Sequence, residues 1–313
     1  MDQVYYAETI CQAVKKDGVK CNNKAYYVSN SLYVCGVHST PASRIKLPIN
    51  PNKKANTEIK HQTSERLYLD AQERNRQLGM KGRIICTKML MRKEISHVEG
   101  YMSVFPNKKH GNRQDGLGLP ALSPMNLGPV VHSQPGLPQA LNLENFWQSS
   151  KLFPNQVLDC GRKDHTSCGD NCFRKYQIEM FNNPVAERHN KHAKVDGKKV
   201  QPLGWIWTLS DETTKLFKYK ESRQFYCCFY ERLARVTDDY MKLVDLLRDG
   251  MNLNIIGYDG RDIRNCDRED LKDLLAKWYL DESHPFGHEL CIVAMLIFEE
   301  DELPWRKHKT EEF

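Results

Sequence analysis

The sequence predicts an α+β fold: a mainly helical domain with a small mixed sheet, preceded by a small zinc-stapled N-terminal module. Three observations predict it. Short apolar runs bounded by turn residues alternate with longer stretches of helical periodicity. A Cys/His set stands alone near the front of the 313 residues. Hydrophobic content of 40% and charged content of 27% are those of a globular chain.

The front set is Cys11, Cys21, Cys35 and His38, three thiols and an imidazole, enough to close a tetrahedral zinc shell. Cys35-Gly36-Val37-His38 reads as a knuckle in which Gly36 permits the sharp turn. Residues 1–39 are too short and polar to bury much apolar surface, so a metal would supply the missing folding energy. The plain alternative is three reduced cysteines and a surface histidine.

Residues 40–62, with Pro41, Pro48, Pro51 and Lys53-Lys54, read as a linker, and the main domain takes 63–313. A helix is expected to start near Thr63 or Ser64 and end near Gly79. Buried strands are expected at 83–91 and at Gly100–Phe105. Residues 106–140 hold too many Gly and Pro for a helix, yet they carry Leu117, Leu119, Leu122, Met125, Leu127, Val130, Val131 and Leu137. That combination predicts an ordered loop wrapped over a core.

Helix is expected again at Asn142–Phe153 and strand at Trp205–Leu209. Ser222–Asp249 is read as the longest helical pattern, broken near Thr237-Asp238, with a stripe of Phe225, Phe229, Leu233, Met241, Val244 and Leu247. Gly250 stops it. A strand at Asn252–Ile256, a helix at Asp270–Leu280 and a last apolar element from Pro285 to Phe298 complete the pattern.

Charge is uneven. Residues 1–60 carry 9 Lys+Arg against 4 Asp+Glu, and residues 229–313 carry 12 against 20. The basic front suits phosphate or nucleic acid, and a solvated surface accounts for the same counts. No apolar run approaches the roughly 20 residues that cross a bilayer, so no membrane partner is expected. The start has no basic cap or apolar core of a secretory signal. Adjacent Cys227-Cys228 and the metal-like sets point to a reducing compartment, cytoplasmic or nuclear.

Four constellations carry possible chemistry. On a helix, Glu144, Gln148 and Lys151 form one polar column, flanked by Trp147. Facing a cleft, they would polarise a leaving group or hold a sugar hydroxyl; facing solvent, they are an ordinary charged helix face. Tyr258 and Asp259, in Gly257-Tyr258-Asp259-Gly260, follow a strand, where ligand sites of α/β sheets tend to lie, although Asp-Gly is also a plain turn. In His284-Pro285-Phe286-Gly287-His288-Glu289, Pro285 as the first helical residue would free backbone N–H groups for an anion, with His288 or Glu289 as acid or base. Cys160, His165, Cys168 and Cys172 are spaced for a second metal loop or for free thiols in a polar loop. The run Arg188–His192, with Lys194, Lys198 and Lys199, is a basic patch that could contact phosphate, but it holds no aromatic residue to stack on bases and reads rather as a solvated loop.

Glu144-Asn145-Phe146-Trp147-Gln148-Ser149-Ser150-Lys151 resembles the glutamate–aromatic–glutamine–lysine helix of the NADAR family, linked to NAD and ADP-ribose metabolism. The resemblance runs over 120–300 and implies an N-glycosidase-like hydrolase acting on a ribosylated or ADP-ribosylated substrate. It places Glu144 and Lys151 in a ribose-binding cleft. Glu144, Lys151, Asp259 and His288 are then the expected catalytic set, and Trp147, Gln148, Tyr258 and Glu289 the expected substrate contacts. Where the family has a tryptophan–glycine step and an asparagine–x–leucine–glycine helix start, this chain has Pro285–Leu290 with Met295-Leu296. The front module is similar in style to the short Cys/His units of large DNA virus proteins, which extends the expected setting to an infected host cell or a virion. The competing expectation is a non-enzymatic zinc protein that binds nucleic acid or a viral assembly partner.

Overall fold

The computed structural model describes residues 3–90, 95, 97–158, 160–161, 165, 167–263 and 267–309. The chain divides into two compact units, Met1–Thr63 and Ser64–Phe313.

In the first unit, β1 (Tyr27–Ser29) pairs antiparallel with β2 (Leu32–Val34) and with β3 (Ile45–Lys46). Asn30 and Ser31 join β1 to β2 with φ of 51° and 62°. Positive φ at both positions matches the right-handed twist of a two-residue hairpin. The buried apolar cluster of this unit is small: Cys11, Cys21, Val34 and Cys35, with Ala13, Tyr26 and Tyr27 against it. Three of its four buried members are thiols, so apolar burial alone stabilises this unit little.

Helix α1 (Pro51–Gln77) contains the boundary between the units. It starts twelve residues before the start expected near Thr63, within the stretch read as a linker, and ends near Gly79 as expected. Pro51 is its first residue, where a missing N–H costs nothing. Ala71 is its buried residue among otherwise exposed or half-buried positions, so hydrophobic periodicity gave no early signal. At 27 residues it is also longer than either of the two helices, of 16 and 11 residues, into which the stretch expected to be longest divides.

In the second unit, β4 (Ile84–Lys88), β5 (Met102–Phe105), β6 (Leu117–Gly118) and a strand from far along the chain form one sheet; Met91, the end of the strand expected at 83–91, lies outside the described residues. Helix α2 (Leu143–Ser149) leads into β7 (Lys151–Leu152), and α3 (Phe173–Phe181) follows. A small hairpin, β8 (Lys194–Val195) with β9 (Lys198–Lys199), precedes β10 (Gly204–Thr208) and β11 (Thr214–Phe217). Then come α4 (Tyr219–Ala234), α5 (Asp238–Arg248), β12 (Leu253–Gly257), α6 (Arg268–Leu280), α7 (His288–Ile297) and α8 (Pro304–Lys307).

Strand and helix are thus combined as expected, but no single mixed sheet forms among the described residues. The order β4-β12-β5-β6 is parallel throughout, and β11-β10-β7 is a separate antiparallel sheet. Every residue of β12 is buried, as expected for the central strand of a parallel sheet covered on both faces. Helix α7, HELCIVAMLI, is buried at nine of its ten positions, and its apolar run from Leu290 to Ile297 follows from that burial. The long 106–140 loop is ordered over the core through Leu119, Leu122, Leu127 and Val130, whereas Val131 is exposed. Thr237 caps α5 at the expected break, but Met241 of the expected stripe is half-exposed at 50%.

One buried charge is fully compensated. Glu231 on α4 accepts from Trp305 Nε1 at 2.7 Å, Arg235 Nε at 2.8 Å and Arg306 Nη2 at 2.9 Å. No helix among the described residues is long and apolar enough to cross a membrane.

Candidate functional site

The polar column forms, though not on one helix. Asn142 caps α2 by accepting from the Asn145 N–H at 2.8 Å, an interaction that stabilises a helix by about 1 kcal/mol. The helix ends at Ser149, and Ser150 turns the chain so that Lys151 opens β7. This corrects the expectation of helix through Phe153. Lys151 Nζ nevertheless donates to Gln148 Oε1 at 2.8 Å, and Gln148 Nε2 donates to Glu144 Oε1 at 2.9 Å. The Gln148 amide therefore has one orientation and couples the ammonium to the carboxylate.

The column is half-buried rather than a solvated face. Burial pushes the Glu144 carboxyl above its ordinary range, against the Gln148 hydrogen bond and the charges of Lys151, His288 and Arg188. Burial also lowers the Lys151 ammonium to about 8, against the charges of Glu144 and Asp259 and together with that of Lys199. These couplings put Asp259 within electrostatic reach of Lys151 and His288 within reach of Glu144. The last third of the chain thus faces the α2 column.

Trp147 forms a wall beside the column. Its ring lies 5.1 Å from Trp205 and 5.0 Å from Tyr226, and Lys151 Nζ stands 5.3 Å above it. Tyr258 is half-buried, with the Arg188 guanidinium 5.4 Å over its ring. Asp259 is exposed and follows the end of β12. Tyr258 and Asp259 thus follow directly on the end of β12, the end of a parallel strand at which ligand sites tend to lie.

Helix α7 begins at His288 with Gly287 as its cap, so Pro285 is not its first residue. The Gly287 carbonyl accepts from Leu290 and Cys291 at 3.1 Å, which leaves the anion site expected at Phe286–His288 without its helical frame. What stands there is a buried carboxylate. Glu289 is 0% exposed, and His288 Nδ1 lies 3.3 Å from its Oε2. Neither Glu289 oxygen nor His288 Nε2 has a hydrogen-bond partner among the described residues. Glu231 shows how this fold satisfies a structural carboxylate; Glu289 lacks that compensation, and an uncompensated buried carboxylate costs several kcal/mol. The backbone makes room for it: a Cβ on Gly257 would lie 1.7 Å from Glu289 Oε1, and one on Gly287 would lie 2.5 Å from Asp259 Cβ.

Sequence reasoning missed Tyr226 and the placement of Arg188, whose run it weighed as a phosphate contact against a solvated loop. Asn145, fully buried on α2, donates to the Asn183 and Val185 carbonyls at 2.9 and 3.0 Å and accepts from the Glu187 N–H at 2.8 Å. Asn190 Nδ2 donates to the Gln148 carbonyl at 2.8 Å. The run read as a solvated loop is thereby laid along α2, and its aromatic partners, Tyr258 for Arg188 and Tyr176 for Lys191, come from elsewhere in the chain. A shallow depression along α5, lined by Asp238, Lys242 and Asp245 among others, includes none of these groups.

Both Cys/His sets converge. In each, one ligand atom per residue lies within 4.8 Å of the others, so either could hold a metal ion. In the first, Cys11 Sγ and Cys35 Sγ lie 3.5 and 3.4 Å from His38 Nδ1, and Cys21 Sγ lies 4.0 Å from Cys35 Sγ. A tetrahedral zinc ion with ordinary bond lengths separates sulfur from nitrogen by about 3.5 Å and sulfur from sulfur by about 3.8 Å. Burial pushes the Cys35 thiol up, but the His38 and Val37 N–H groups and the Asn23 amide outweigh it and bring it down to about 6. Those knuckle N–H groups favour the thiolate that a metal needs.

Compared with protein families, curated proteins and solved structures, the chain matches none.

Proposed function

We propose that the second unit is a hydrolase that cleaves the N-glycosidic bond of a ribosylated or ADP-ribosylated substrate, and that the first unit is held by zinc. The observation that carries the enzymatic reading is the Lys151–Gln148–Glu144 relay, desolvated and facing the charges of Asp259 and His288. It also agrees with the resemblance of residues 144–151 to the NADAR helix.

In the proposed reaction the C1′–N bond breaks with its electron pair leaving on nitrogen, and water oxygen bonds to C1′. Glu144, with its raised carboxyl, accepts the water proton or stabilises the cationic sugar at the transition state. Lys151 and Arg188 hold phosphate or ribose oxygens. Tyr258 and Trp147 offer ring faces to the substrate. Asp259 and the His288–Glu289 pair complete the polar lining and return a proton to the leaving nitrogen. The three thiolates and imidazole of the first unit suit zinc by ligand softness and by tetrahedral spacing.

Release of free ADP-ribose or ribose phosphate from ADP-ribosylated nucleotides tests the reading. Glu144→Gln is expected to lower turnover by about 100- to 10,000-fold, the usual weight of a general acid–base group. Unchanged turnover in that variant would remove the proposed chemistry.

A further inference from the structure

The other Cys/His set lies in the segment between β7 and α3. Cys160 Sγ is 3.2 Å from His165 Nδ1, Cys172 Sγ is 3.8 Å from the same nitrogen, and Cys168 Sγ is 3.2 Å from Cys160 Sγ. Four soft or borderline donors converge on one point, although the sequence from 160 to 172 holds no apolar side chain apart from its three cysteines. Hydrophobic burial supplies no reason for that convergence.

The backbone is shaped for it. The Cys168 N–H donates to the His165 carbonyl at 3.2 Å and the Cys172 N–H to the Gly169 carbonyl at 3.0 Å, two successive turns that bring side chains inward. Cys172 is also the cap residue of α3. Val157 is bridged to it: the Val157 N–H donates to the Asn171 carbonyl at 2.8 Å, and the Phe173 N–H donates to the Val157 carbonyl at 3.0 Å. Three thiolates around a divalent ion leave one net negative charge, and cations stand ready for it. Lys175 Nζ donates to the Cys168 carbonyl at 2.9 Å, and Arg174 lies two residues after Cys172 in the chain.

We infer that Cys160, His165, Cys168 and Cys172 bind a second zinc ion, a closed structural site that fixes the 153–172 segment against the start of α3. Three sulfurs and one nitrogen fill a tetrahedral shell, so the site has no open position for a water or substrate. Its consequence for the proposed active site is positional. Lys151 and Leu152 open the segment that this ion ties down, and Leu152 packs with Phe173 and Ile206 at its base. The metal assignment stands whether or not the glycosidase reading does.

The test is the metal content of the intact chain, purified under reducing conditions without chelator. Two zinc ions per chain are expected by elemental mass spectrometry. Cys168→Ser with Cys172→Ser should lower the count to one, as should Cys11→Ser with Cys21→Ser, and all four changes together should lower it to none. Since a variant can fail for want of folding, cobalt alone is titrated into the metal-free unmodified chain. Two equivalents should bind, each adding thiolate-to-cobalt charge-transfer intensity and tetrahedral d–d bands. Saturation at one equivalent, or one zinc in the unmodified chain that persists in Cys168→Ser with Cys172→Ser, would overturn the second site. So would a Cys160–Cys168 disulfide in peptides alkylated directly after reducing purification.

Discussion

The two Cys/His sets have the same composition, three thiols and one imidazole, in opposite surroundings. The first lies in a unit whose buried apolar cluster is mostly its own cysteines. The second is attached to a unit with a broad aromatic and aliphatic core that includes Phe146, Trp207, Phe225, Phe229 and Leu290. A ligand's effect on stability depends on what the fold has without it. The same ion should therefore decide whether the first unit exists and only how well one segment of the second is ordered.

The largest expected effect breaks the comparison most directly. Chelation, or Cys35→Ser, should unfold the first unit entirely, because structural zinc contributes about 10–16 kcal/mol in modules of this kind. Loss of amide dispersion for residues 11–46, with the second unit's melting transition retained, is the outcome to look for by NMR and calorimetry. Retained dispersion would mean that β1, β2 and β3 stand without metal. For the second set, metal removal should raise hydrogen exchange at 153–175 and leave β12 and α7 protected.

Next in size, the chemistry of the second unit should be insensitive to the first unit's metal and sensitive to one carboxylate. Glu144→Gln costs the factor already stated, while Cys11→Ser with Cys21→Ser should leave turnover within about twofold, since no group of the first unit takes part in the proposed step. A smaller effect sharpens the role of Glu289. Gly257→Ala puts a methyl group into that carboxylate and should destabilise the second unit by about 1–3 kcal/mol, the range of overpacking, read as a lower urea midpoint. Glu289→Gln should relieve little of the strain, because the steric conflict is unchanged.

The smallest expected effect is a pH step. Lys151 titrates near 8, below its unfolded range, so its positive charge is present below that pH and is lost above it. Binding of an anionic ligand such as ADP-ribose should weaken by on the order of tenfold from pH 7 to pH 9, the weight of one charge-assisted hydrogen bond. Lys151→Met should flatten the profile. Linkage runs the other way for stability: between about 8 and the unfolded value the unfolded chain binds more protons, so this group's contribution rises with pH there.

Legibility in the sequence followed periodicity and local spacing. The strands around Ile84, Met102, Trp205 and Leu253, the break at Thr237 and the Cys35–His38 knuckle were readable because each is defined within a few residues. Helix α1 was readable only from Thr63 onward, because its first half faces water and carries no apolar stripe to detect. The end of α2 was missed because Ser149 and Ser150 do not forbid helix; only the pairing of Lys151 with Trp205 in the β7–β10 ladder turns the chain there. In the candidate site, Glu144, Gln148 and Lys151 were visible from spacing. The placement of Arg188 was invisible: it depends on Asn145 and Asn190 bonding across some forty residues, and a plain Asn carries no mark of its partner.

The order of the parallel sheet sets a timetable for the newborn chain. Strand β12 inserts between β4 and β5, pairing Leu253 with both Ile84 and Met102. On a ribosome adding about 5–20 residues per second, Phe105 emerges roughly eight to thirty seconds before Gly257. Throughout that interval two sticky edges wait for a strand not yet made, which is when a holding chaperone would matter most to this protein.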